Sequence, residues 1–128
     1  MQERQINPVQ GIYAATPDYI HALEVTGARR WLFVSGTMGL AEDGTAPPEL
    51  STQLDLVWSN IRRILKEVEM SVDNIVQVTS YLRDAAYVAE NQEARVHALG
   101  QRRLPTTAII VETLSEDWKV EIEVIAAG

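Results

Sequence analysis

The residues best suited to chemistry in this chain are two glutamates near its end, Glu121 and Glu123, in the stretch VEIEVIAA that closes at Ala127. Side chains alternate across a β-strand, so two acids at a spacing of two share a face. Val120, Ile122, Val124 and Ala126 take the opposite, apolar face. The two acids read either as a solvated sheet surface or as carboxylates set in a cleft, where such a group can work on water or a proton. Other chemistries find little material. The chain has no cysteine and only two histidines, His21 and His97, far apart in sequence. Disulfides, thiolate sites and cysteine nucleophiles are thereby removed, and no metal site is expected. Lysine occurs only at positions 66 and 119, and Lys66 falls on the polar side of a helix, a poor setting for amine catalysis. No phosphate loop, dinucleotide glycine pattern, HExxH or nucleophile elbow is present, so no cofactor is expected.

The elements that must hold the glutamates follow from periodicity. The run Thr106 to Val111, the polar turn Ser115-Glu116-Asp117 and the run Lys119 to Ala126 predict a closing β-hairpin. Upstream, Gln5 to Tyr19 contains Pro8, Gly11 and Pro17 and predicts a short edge strand or extended arm. A strand follows from Tyr19 to Val25. Trp31 to Val34 is a continuous apolar run, which predicts a central strand buried on both faces. After a loop over Ala41 to Pro48, Leu54, Val57, Trp58, Ile61, Ile64, Leu65 and Val68 recur at helical spacing, with Ser51 placed as the N-cap. Ile75 to Leu82 is rich in β-branched residues and predicts a strand. A second helix is expected from a cap at Asp84 to about Leu99, terminated by Gly100, with Arg102 and Arg103 at its end pointing to water. The order predicts an α+β fold, one domain over residues 1–128, with two helices packed on one face of a mixed sheet. The bare second face needs a cover.

Composition sets the setting. With 46% hydrophobic and 23% charged residues the chain is ordinary globular material, with no run long enough to span a membrane, and its first residues lack the apolar core expected of a signal peptide. A cytoplasmic location is expected. A formal charge of −7 argues against nucleic acid as the partner.

Four segments, LFVSGTMGL, VDNIVQVTSYLRD, LPTTA and VEIEVIAA, resemble in order and spacing the RidA family, also called the YjgF or UK114 family, from about Ile6 to Ala127. The resemblance implies a homotrimer with a small-molecule cleft where subunits meet. It also implies site residues at Tyr19, Gly36, Asn91, Thr107 and Glu121, with Glu121 positioning water, Gly36 and Ile109 offering backbone polar groups, and Tyr19 and Asn91 shaping the pocket. Where the family carries P-x-R-S this chain reads Pro105-Thr106-Thr107-Ala108, so it is an arginine-lacking member and the usual carboxylate clamp is a threonine. The implied activity is cofactor-free, enamine/imine deaminase-like hydrolysis. A non-catalytic small-molecule binder is the alternative, and endoribonuclease, a label the family sometimes carries, sits poorly with the acidic charge.

Overall fold

The computed structural model describes residues 1–128. Six strands and two α-helices alternate along it: β1 (Gln2–Ile6), β2 (Ala22–Thr26), β3 (Trp31–Met38), α1 (Leu50–Glu67), β4 (Ile75–Leu82), α2 (Val88–Leu99), β5 (Thr106–Ile110) and β6 (Val120–Ala127). β1 and β2 form a small antiparallel ladder; the main sheet has the order β3-β6-β4-β5, with β5 parallel to β4 and the other pairs antiparallel. The fold is α+β, with a mixed sheet and both helices on one face.

The core explains that layering. Val120, Ile122, Val124 and Ala126 are fully buried, and they pack with Val78 and Leu82 of β4 against Leu54, Val57, Trp58, Ile61 and Leu65 of α1 and Ala98 and Leu99 of α2. The apolar stripe of α1 is therefore the face the periodicity marked.

The closing hairpin does not form. β4 lies between β5 and β6, so the two runs never pair. A strand with one wholly buried face gains most from two flanking partners, and β6 finds them in β3 and β4. The α2 crossover meanwhile lets β5 return parallel to β4, as a short connection could not. β3 is likewise an edge strand and not a central one; Phe33, paired with Ile125 on the face away from the helices, is 73% exposed.

Three smaller expectations are corrected. Helix α1 starts at Leu50 after Pro47-Pro48, with Glu49 in the N-cap position, so Ser51 lies within the first turn and caps nothing. Asp84 accepts from Ala86 N at 2.8 Å, but what it caps is a 3-10 turn, Ala85–Tyr87, and α2 begins only at Val88. Gly100, at φ 66°, ends α2 as expected. Arg102 and Arg103 do not point to water. Arg102 donates to the carbonyls of Val72 and Ile75 at 3.1 and 2.8 Å and pairs with Glu3, while Arg103 Nε donates to Pro17 O at 2.7 Å. Both are structural clasps, since backbone carbonyls left over at the helix end and in the arm need donors.

Candidate functional site

The site begins with a bulge. The β3–β6 register passes from Val34↔Val124 to Thr37↔Ile122, so Ser35 and Gly36 together oppose Glu123. The extra residue brings Gly36 beneath the side chain of Glu121. A Cβ on Gly36 would stand 2.9 Å from Glu121 Cδ and 3.1 Å from Cγ, so the carboxylate occupies space that only glycine leaves free. Glu121 has no ion pair or side-chain hydrogen bond within the chain, which leaves its oxygens available to water or ligand.

On the other side of β6, Tyr81 of β4 is the direct partner of Glu121, and its hydroxyl donates to Glu123 Oε1 at 3.2 Å. That hydrogen bond, then burial, then the charges of Glu123 and Glu121, push the phenol above its ordinary value near 10. Tyr81 is thus a proton-bearing donor throughout the neutral range. With the segment Val111 to Leu114, these side chains enclose a cleft of about 320 Å³, within the size range of small-ligand sites. A larger groove of about 490 Å³ lies elsewhere, between α1 and α2, over Trp58, Ala94 and Ala98. None of its acids, Asp55, Glu90 and Glu93, shares a hydrogen bond with another lining side chain. No three His, Asp or Glu side chains converge as a metal site would require.

The remaining expected residues lie apart from this cleft. Thr107 and Ile109 sit on β5, the far edge of the sheet, two strands from Glu121; Thr107 aligns through Thr79 with Glu123, and Ile109 through Tyr81 with Glu121. Neither lines the cleft, and Ile109 is 44% exposed. Tyr19 belongs to an arm that runs beside the start of β5, where Ile20 N donates to Leu104 O at 3.3 Å. Asn91 lies one helical turn before Arg95, is 2% exposed, and its Oδ1 has no partner. Gly36, Tyr81 and Glu121 therefore sit together, while Thr107 on the same open face but on β5, Tyr19 on the arm and Asn91 buried on α2 lie apart from them.

The arm is fixed by an ion pair. Arg95 of α2 donates to Asp18 Oδ2 at 2.6 Å and to Asp18 O at 3.0 Å, and the pair is largely buried. Burial raises the Asp18 pKa, but the Thr16 hydroxyl and Arg95 outweigh it and hold the carboxyl below its ordinary 3.8. A depressed carboxyl contributes stability above its unfolded pKa and loses it as pH falls through the folded one. Arg95→Leu should therefore lower stability by about 3 kcal/mol at pH 7, by leaving Asp18 buried and unpaired. The deficit should shrink below about pH 4, as the lone carboxyl protonates. Urea unfolding of parent and variant at both pH values checks this.

Tyr81 could not be chosen from the sequence, because its importance depends on β4 and not β5 lying beside β6. The signal present was the alternation of Gln77, Thr79 and Tyr81 on β4, which puts the tyrosine on the face of the acids once the pairing is known.

The model of the family described as endoribonuclease L-PSP matches residues 11–128. A RutC family protein of Pyrococcus abyssi is 31% identical over 98 residues, covering 75% of this chain and 77% of its own length. Among solved structures, a Rid family protein of Yersinia pestis superposes with a TM-score of 0.82 over 100% of both chains at 20% identity, a likeness of fold. RidA from an Antarctic Psychrobacter has a TM-score of 0.73 at 26% identity, over 98% of this chain and 100% of its own.

Proposed function

The chain belongs to the endoribonuclease L-PSP family, the RidA or YjgF group, and from that premise we propose that it is a cofactor-free hydrolase of small imines or enamines. The observation that carries this reading is the Glu121 carboxylate, unpaired, seated over Gly36 and opposite Tyr81 on the neighbouring strand. Glu121 takes a proton from water as the oxygen adds to the C=N carbon. The nitrogen is protonated in turn, and the tetrahedral adduct expels ammonia to leave a carbonyl: C=NH plus H₂O gives C=O plus NH₃. An enamine first tautomerises to the imine. Glu123 accepts the one proton of the Tyr81 hydroxyl and holds the ring in place, and the protonated Glu121 returns its proton to the leaving nitrogen.

The working site is formed between copies of this chain. Trp31, Phe33, Ile109 and Ile125 leave apolar area on the face away from the helices, and a homotrimer that covers it would bring Thr107 and Ile109 of one subunit toward the Glu121 cleft of the next. Light scattering should give about three chain masses at micromolar concentration; a stable monomer would contradict the shared site. Activity is read as ammonia release from freshly generated imines, with and without a carboxylate. Binding of these compounds with no turnover of either would favour the second reading, a small-molecule binder, which the threonine at position 107 supports. RNA cleavage has little support: the cleft presents Glu112, Glu121 and Glu123, which repel a phosphodiester. The expected location is cytoplasmic; no helix is long and apolar enough to cross a membrane.

A further inference from the structure

We propose that the groove between α1 and α2, on the helix layer and apart from the Glu121 cleft, is a second binding site, and that its ligand is a short apolar peptide with free ends. The two helices run in the same direction with their starts level. Near the starts, Gln53 of α1 accepts from Lys119 N at 2.9 Å, and Lys119 Nζ stands 5.7 Å from the ring centroid of Tyr87, the residue before α2. At the other end Arg102, just beyond α2, donates to the carbonyls of Val72 and Ile75, just beyond α1. Asp55 is therefore level with Glu90, Trp58 with Ala94 and Arg62 with His97, and all six line the one groove of about 490 Å³. That volume is in the range of small-ligand sites.

The groove has a direction. Leu54, Trp58 and Ala98 make a buried apolar floor, acids stand at one end, and Arg62 and His97 stand at the other. Glu93, one turn on from Glu90, extends the acidic end. Glu90 and His97 also complement the dipole of α2, but Asp55 and Arg62 lie inside α1, beyond the reach of its end charges. None of these side chains joins the chain's four ion pairs, so their charges are open to a ligand. Asp55 and Arg62 are seven residues apart, about 10 Å along the helix, and an extended tripeptide spans about the same length. Its ammonium meets the acids, its carboxylate meets Arg62, and its side chains lie on the apolar floor. An independent observation selects a peptide over a plain hydrocarbon chain. The indole Nε1–H of Trp58 is buried without an acceptor, on a side chain 3% exposed. A buried donor left unpaired is costly, and a peptide carbonyl is the acceptor it lacks.

The probe is the tripeptide alanyl-leucyl-alanine, with its N-acetylated and C-amidated forms, titrated at low salt into the intact protein carrying isotope-labelled tryptophan and followed by NMR. The chain has three tryptophans, and Trp58→Phe identifies the indole signal of Trp58. The free peptide should shift that signal saturably, and each cap should weaken binding about threefold, the worth of one exposed ion pair. Arg62→Gln should abolish the effect of the amide cap and keep that of the acetyl cap. Asp55→Asn with Glu90→Gln should keep the effect of the amide cap and remove most of that of the acetyl cap. All three substituted residues are exposed, and thermal unfolding confirms that the variants are folded. An unmoved Trp58 signal at millimolar peptide overturns the site. Caps that change nothing, or variants that respond to both caps as the parent does, overturn the peptide as its ligand. Imine hydrolysis at Glu121 should be equal in parent and variants, so the cleft reading stands or falls separately.

Discussion

Gly36→Ala should leave a folded protein of unchanged oligomeric state whose hydrolytic rate has fallen about a hundredfold, the loss expected for displacing a catalytic group by about 1 Å. The added Cβ would meet Cδ of Glu121 at 2.9 Å, so something must move, and the atoms in its way belong to the free end of a flexible side chain. Rotating that end is cheap for the fold and expensive for the chemistry. The same segment contains a control. At Gly39 a Cβ would stand 2.7 Å from the backbone C and Cα of Gln53 in α1, which cannot yield without moving the helix. Gly39→Ala should therefore lose stability, and Gly36→Ala activity. Parallel measurement of melting temperature and ammonia release separates them; a strongly lowered melting temperature in Gly36→Ala would show that the glycine serves packing instead.

The second large effect is on stability. Gln53 of α1 is 1% exposed, and its amide donates to Pro47 O and Asp117 O at 2.8 Å each and accepts from Lys119 N at 2.9 Å. One side chain thus joins the loop before α1, the turn before β6 and the first residue leading into β6. Gln53→Leu keeps the volume and removes all three bonds. Each buried group left without a partner costs about 1–3 kcal/mol, offset in part by the apolar leucine, for a net loss of about 2–4 kcal/mol. The melting temperature should fall by about 10 °C, compared at equal chain concentration. A fall of only a degree or two would mean that water replaces the amide. Because Lys119 leads directly to Glu121, the variant should also be less active.

Helix α1 and the buried face of β6 were legible in the sequence because each carries its own period, 3.6 for Leu54 to Leu65 and two for Val120 to Ala126. Pairing is not periodic. Neighbouring strands most often pair, and that default misplaced β5 beside β6, where β4 lies. Tyr81 stayed hidden for the same reason. Phe33 misled differently: its apolar character reads as burial within the chain, while the structure leaves it open on the face that a further copy would cover. The Asp18–Arg95 pair, 77 residues apart, leaves no local trace at all.

The central claim is that Glu121 handles the proton of the attacking water. The direct measurement is steady-state ammonia release from a freshly generated imine by parent and Glu121→Gln, both verified as folded and of equal oligomeric state. Glutamine keeps the shape and cannot accept the proton, so kcat/KM should fall by about a hundredfold or more, the usual contribution of a positioned base. Equal rates in the two proteins would contradict the account.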